Sequence, residues 1–166
     1  MIFELKPDLF GFAGTCPTFR GTSNNKEVMM PTTREFSLSM KDQPGTLGKI
    51  CQALADRGVN ILAFQAMPCE GKNLVRFVVD NPTTAKSVLD TQKLPYKEME
   101  VVQARFPHRP GELARAASQL GEANINIDHA YSGLDPGTNA PLLIFGVAEA
   151  GRAAKILDKT AAAAAG

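Results

Sequence analysis

The chain repeats itself, and this constrains its fold more than any other feature. Residues 40–61 read MKDQPGTLGKICQALADRGVNI, and residues 106–127 follow the same pattern. After a displacement of 66 residues, Pro44 falls on Pro110, Gly45 on Gly111, Leu47 on Leu113, Leu54 on Leu120, Asn60 on Asn126 and Ile61 on Ile127. Lys49/Arg115, Asp56/Glu122 and Val59/Ile125 keep their chemical type. Spacing and polarity preserved together mark a duplicated unit.

Each copy carries the same local instructions. An alternating strand leads into a polar loop, and a proline suits the first position of a helix because its missing N–H has no partner there anyway. Gln43 and Arg109 are then expected at or near the N-caps. Leu47, Ile50, Cys51 and Leu54 form an apolar stripe at helical spacing, as do Leu113, Ala116, Ala117 and Leu120. Gly58 and Asn124 stand where a left-handed residue ends a helix. The chain then returns as a strand beginning Val59-Asn60-Ile61 or Ile125-Asn126-Ile127.

Read in order, Phe36, Leu38 and Met40 alternate with polar residues as a half-buried strand. A helix over about 45–57, a strand over about 60–67 and a turn at 68–72 follow. A strand over 74–80 comes next, and a helix opens at Pro82 with Ala85, Val88 and Leu89. A strand over about 95–101 completes the unit. Right-handed crossovers turn this order, βαββαβ, into an antiparallel four-stranded sheet with both helices on one face, the ferredoxin-like arrangement. The expected fold is therefore α+β, with that unit repeated twice. Val102, Ala104 and Phe106 restart the pattern with almost no linker, so one strand is able to run straight into the next. The turn at 133–140 is two residues longer than its counterpart. Beyond it Phe77 matches Phe145, and Leu89 matches Leu157. The last strand of the second copy is missing or replaced by Thr160 and a run of alanines, which prolongs the final helix or frays.

The expected organisation is an N-terminal extension over 1–34, a first unit over 35–100, a second over 101–160 and an alanine-rich tail over 161–166. The extension is rich in Gly, Thr, Asn and Pro yet carries Phe3, Phe10, Phe12 and Phe19. Its composition favours a poorly ordered segment. The alternative is an arm whose phenylalanines dock on the body or on a second chain. The natural start is expected near Met29 or Met30.

A net charge of +1 gives no basic field for nucleic acid. Three cysteines without a C-x-x-C point to a reducing, cytoplasmic setting without disulfides or a cysteine-bound metal. No apolar run approaches the ~20 residues of a membrane helix, and no signal peptide is recognisable. His108 and His129 lack metal-ligand spacing, and His129 and Tyr131 are expected on one sheet face. Nucleotide-binding glycine loops and nucleophile elbows are absent. No catalytic constellation emerges, and neither a cofactor nor an enzyme activity is expected.

What remains is the pair of loop-to-helix junctions. A helix N-terminus presents unpaired N–H groups and partial positive charge, which suits a carboxylate or other small anion. Gly45 and Gly111 would let a ligand approach the backbone. Asp42 and Asn60, or Asn126 and Asp128, would accept hydrogen bonds from an ammonium group, and Arg109 would add a cationic contact. The plainer reading is that Asp42 and Gln43 cap a helix and the asparagines bond local backbone.

Asp42-Gln-Pro-Gly-Thr-Leu followed by Gly58-Val-Asn-Ile resembles the signature of the ACT domain, a small regulatory module. Arg109-Pro-Gly-Glu-Leu followed by Asn124-Ile-Asn-Ile resembles it again. The resemblance, over about 35–158, implies two ACT units with no attached enzyme, binding an amino acid where two units meet and controlling a partner enzyme or regulator. It implies ligand contacts at Asp42, Gln43, Pro44, Gly45, Thr46, Leu47, Asn60 and Ile61. In the second unit it implies them at Arg109, Gly111, Glu112, Leu113, Asn126, Ile127 and Asp128. A homodimer is expected. The alternative is a ligand-free interaction or dimerisation module.

Overall fold

The structure, a computed structural model, describes residues 32–41, 43–138 and 140–164, with residues 159–164 as backbone alone. Residues 1–31, on which the docking arm and the start-site expectation rest, lie outside the described residues, and so does Asp42. Ten elements follow: β1 (Thr32–Lys41), α1 (Thr46–Ala55), β2 (Ile61–Cys69), β3 (Lys72–Val79), α2 (Pro82–Thr91), β4 (Tyr96–Arg105), α3 (Glu112–Glu122), β5 (Ile127–Leu134), β6 (Pro141–Val147) and α4 (Ala150–Ala164). The class is α+β with an antiparallel sheet, and the first six elements run βαββαβ.

Local chemistry explains the boundaries. Asn81 caps α2 by accepting from the Thr84 N–H at 3.0 Å, and Pro82 takes the first turn. Gly58 and Asn124 have φ of 68° and 56°, the left-handed geometry expected of them. The expected five-residue turn at 68–72 is tighter than composition indicated. Glu70 and Gly71, with φ of 49° and 73°, form a two-residue hairpin, and Pro68, Cys69 and Lys72 stay in strand. Two successive positive φ values match the twist of the flanking strands, which is why the short loop suffices.

The helix starts also differ from expectation. α1 and α3 begin at Thr46 and Glu112, with Gly45 (φ 85°) and Gly111 (φ 94°) as left-handed N-caps. Pro44 and Pro110 therefore sit in the preceding turn, and neither Gln43 nor Arg109 caps. The glycine conformation turns the chain sharply, and this displaces the first helical residue two places beyond the proline.

The six strands form one closed barrel in the order β1-β3-β2-β5-β6-β4, with every neighbouring pair antiparallel. β4 belongs to both halves. Tyr96–Val102 pair with β1, and Val102–Arg105 pair with β6. The second half thus reuses β4 and adds a helix, two strands and a helix. Among the described residues no further strand follows α4, so a second complete βαββαβ is not formed. The open sheets expected from the pattern close instead into one.

The core has three parts. Phe36, Leu38 and Met40 of β1 and Val75, Phe77 and Val79 of β3 pack on Ile50, Leu54, Val88 and Leu89. Val102, Ala104, Phe145 and Val147 pack on Ala116, Leu120, Ala153 and Leu157. Ala63, Val78, Val101, Leu142 and Ile144 come from strands only and fill the barrel interior. The helices therefore lie outside, on the strand faces opposite the interior. Truncating a fully buried leucine such as Leu54 or Leu120 to alanine would cost about 2–5 kcal/mol.

Candidate ligand site

Strand direction decides which expected site residues share an end of the barrel. β1, β2 and β6 run one way, and β3, β4 and β5 run the other. The loop after β1, with Gln43 to Leu47, lies at the end where β5 begins with Ile127. The loop after β4, with Arg109 to Leu113, lies at the opposite end, where β2 begins with Ile61. Each loop-to-helix junction thus shares an end with the asparagine-bearing strand start of the other half, not of its own. The two junctions do not converge.

At the first junction, Gln43, Gly45, Thr46 and Leu47 meet Met67 and Asn73 around a cavity of about 170 Å³. The Thr46 hydroxyl donates to the Gln43 carbonyl at 3.0 Å, which fixes the loop. Ile61 lies elsewhere. With Leu47, Ile50, Cys51 and the exposed Phe64 it lines an apolar cleft of about 240 Å³ beside α1. Asn60 is exposed, and its backbone N–H donates to Asp80 Oδ1 at 3.0 Å. Pro44 is exposed in the turn.

The second junction differs in charge. Glu112 is buried and accepts hydrogen bonds from Arg109 Nε and from Arg115. The Arg109 guanidinium, then that of Arg115, holds the Glu112 carboxyl below its usual range against the opposing effect of burial. Arg109 is therefore already engaged by a neighbour within its own turn. Gly111 and Leu113 are exposed, Ile127 is half-buried, and Asn126 Nδ2 donates to Asp128 Oδ1 at 3.0 Å.

The most buried polar cluster in the described chain was not singled out from sequence. Glu35 is fully buried on the interior face of β1. Its Oε2 accepts from the Tyr131 hydroxyl at 2.7 Å and lies 2.9 Å from His129 Nε2. Arg76 Nε stands 3.6 Å from Glu35 Oε1, close enough for charge attraction and too far for a hydrogen bond. Burial, and then the Glu35 charge, push Tyr131 ionisation far above its ordinary range. His129 and Tyr131 do share one face, with nearly parallel rings 6.1 Å apart. The one signal available was the Arg34-Glu35-Phe36 alternation, which places Glu35 opposite the helices. On an open sheet that face meets water, and closure makes it an interior.

Comparison with known proteins adds the following. The family model of the ACT domain matches residues 35–93. No curated protein is similar in sequence to the chain. Among solved structures, protein BT0572 of Bacteroides thetaiotaomicron is similar in fold, with a TM-score of 0.69 and 19% identity. The likeness covers 78% of this chain and 88% of that one. The regulatory subunit of aspartate kinase from Thermus thermophilus, in a ligand-free form, gives 0.54 and 18%, covering 80% of this chain and 93% of that one. The aspartate kinase of Synechocystis gives 0.54 and 15%, covering 82% of this chain and 26% of that one. At such identities the likeness is one of fold.

Proposed function

We propose that the chain is a cytoplasmic regulatory protein that binds an amino acid between two ACT-like units sharing β4, and that its ligand-dependent state is read by a partner enzyme or regulator. The observation that carries this reading is the cavity of about 170 Å³ that Gln43, Gly45, Thr46 and Leu47 line at the first junction, with strand direction deciding which asparagine lies at that end. Gln43 to Leu47 share a barrel end with Asn126, and Arg109 to Leu113 share one with Asn60. A helix N-terminus suits the ligand carboxylate, and an asparagine or aspartate carbonyl oxygen suits its ammonium group. The ACT match over 35–93, and the likeness in fold to a regulatory subunit of an amino-acid kinase, support a regulatory rather than a catalytic role.

The two ends are not equivalent. The first junction is uncharged at Gln43, Gly45 and Thr46, whereas the second is occupied by the Arg109–Glu112–Arg115 triad. We assign the ligand to the first end. Binding there favours one arrangement of the barrel and of a homodimer built on it, and the partner responds to that arrangement.

A thermal-shift screen against the twenty amino acids tests this. A ligand that binds only the folded state, at ~100 times its Kd, adds about 2.7 kcal/mol. A hit abolished by Asn126→Ala and by Gly45→Val, with Asn60→Ala neutral, supports the assignment. No hit across the panel, together with a stable partner complex in a pull-down, supports the ligand-free interaction module instead.

A further inference from the structure

The barrel is filled at one level and open at another. Val78, Val101, Leu142 and Ile144 close its middle. Toward the end where β1 finishes and β4 begins, small and polar side chains join the interior face. Ser37 pairs in register with Arg76 on one side and Lys97 on the other, and Ser39 pairs with Leu74. These residues, with Glu35 at the base, line a cavity of about 550 Å³ that opens to solvent. None of its lining residues belongs to the loop-to-helix junctions.

Its floor holds an unmet demand. Glu35 is fully buried, its Oε2 is engaged by Tyr131 and His129, and its Oε1 has no hydrogen-bond partner, only the charge of Arg76 with Nε 3.6 Å away. Acceptors buried in this way ask for donors. Nearer the mouth the charge reverses, with Arg76 and then Lys97. Glu98 also touches the cavity, but Lys86 at 2.6 Å and Arg34 at 3.8 Å engage its carboxylate from the far face. The remaining wall is apolar, from Leu74, Met99 and Pro95.

We propose that this funnel is a binding site, separate from the junctions, for a small zwitterion whose ammonium group sits on Glu35 and whose acidic group lies between Arg76 and Lys97. The ammonium brings donors to Glu35 Oε1, which accepts no hydrogen bond, and a guanidinium is shaped to take a carboxylate on two parallel bonds. The apolar wall fits a short aliphatic stem. Glu35 is held in place by His129 and Tyr131.

Calorimetric titration of the full chain with the amino acids, with β-alanine and longer ω-amino acids, and with their des-amino and amide analogues tests the proposal. The expected result is one or more zwitterions that bind, with at least ten-fold weaker binding when either the amine or the acid is removed. Ser37→Phe, which fills the funnel, and Lys97→Glu, at its exposed rim, are each expected to weaken that ligand at least ten-fold. Asn126→Ala and Gly45→Val are expected to leave it unchanged. Lys97→Glu keeps the test decisive if Ser37→Phe does not fold. Binding that survives both funnel variants but fails in the junction variants overturns the funnel and leaves the junction site standing. Failure of every zwitterion to bind overturns it outright.

Discussion

The imidazole of His129 lies flat over Gly146, so close that a Cβ on Gly146 would stand 2.1 Å from the ring Cε1. The two residues face each other across β5 and β6. The missing side chain is what lets the ring reach Glu35. Gly146→Ala is expected to destabilise the fold by about 1–3 kcal/mol, the range for overpacking a closed interior. Denaturant unfolding measures it. Combined with His129→Ala the cost should shrink, because the clash partner is gone, and a double-mutant cycle reads that coupling.

A second glycine closes the barrel. A Cβ on Gly133 would lie 2.0 Å from the Leu62 carbonyl oxygen, and Gly133 pairs with Ala63 where β5 meets β2. Gly133→Val is expected to part these strands. The melting temperature falls, and hydrogen exchange quickens at the amides of residues 62–65 and 132–134 while that of β1 and β3 changes little. Unchanged exchange there would mean that the closure does not depend on this contact.

Gly45 is required for a different reason. No atom lies within 4 Å of a Cβ built on it, but its φ is 85°. Gly45→Ala is expected to cost about 1 kcal/mol through backbone strain alone, and Gly45→Asn less, because asparagine tolerates the left-handed region better. Equal costs would point to a steric cause.

Acid should loosen the second junction. The folded Glu112 carboxyl ionises below its usual value of 4.5, chiefly through Arg109. A lowered folded value contributes stability above the unfolded carboxyl's value, and this is lost as pH falls through the folded one. Glu112→Gln is therefore expected to lower the melting temperature at pH 7 and to make progressively less difference as the pH falls below 4.5. A difference that persists unchanged in acid would trace the effect to shape rather than charge.

The elements were legible because their signals are local. The stripe from Leu47 to Leu54, the Asn81-Pro82 start of α2 and the left-handed Gly58 and Asn124 are each decided by a few neighbouring residues. The helix starts at Thr46 and Glu112 were misplaced because Pro44 and Pro110 are acceptable both at a first helical position and in a turn, and only the backbone angle of the following glycine separates the two. Closure of the barrel was not legible. It depends on Gly133 meeting Leu62 and on Gly146 admitting His129, contacts between residues 71 and 17 positions apart. The same closure makes the Glu35 face of β1 an interior and places Glu35 at the base of a cavity. The junction residues were found by pattern, but which of them share a barrel end follows from strand direction, which pattern does not carry.

β4 also bears on how such a chain is taken apart or recombined. Val102 faces Thr32 on one side and Phe145 on the other, so one backbone segment completes both halves. A cut before β4 strips the first half of its edge, and a cut after it strips the second. Neither copy of the repeat is then a transplantable cassette, despite the clear boundary its sequence suggests. A fusion or graft that keeps the fold must carry the whole barrel from Thr32 through β6 and its covering helix.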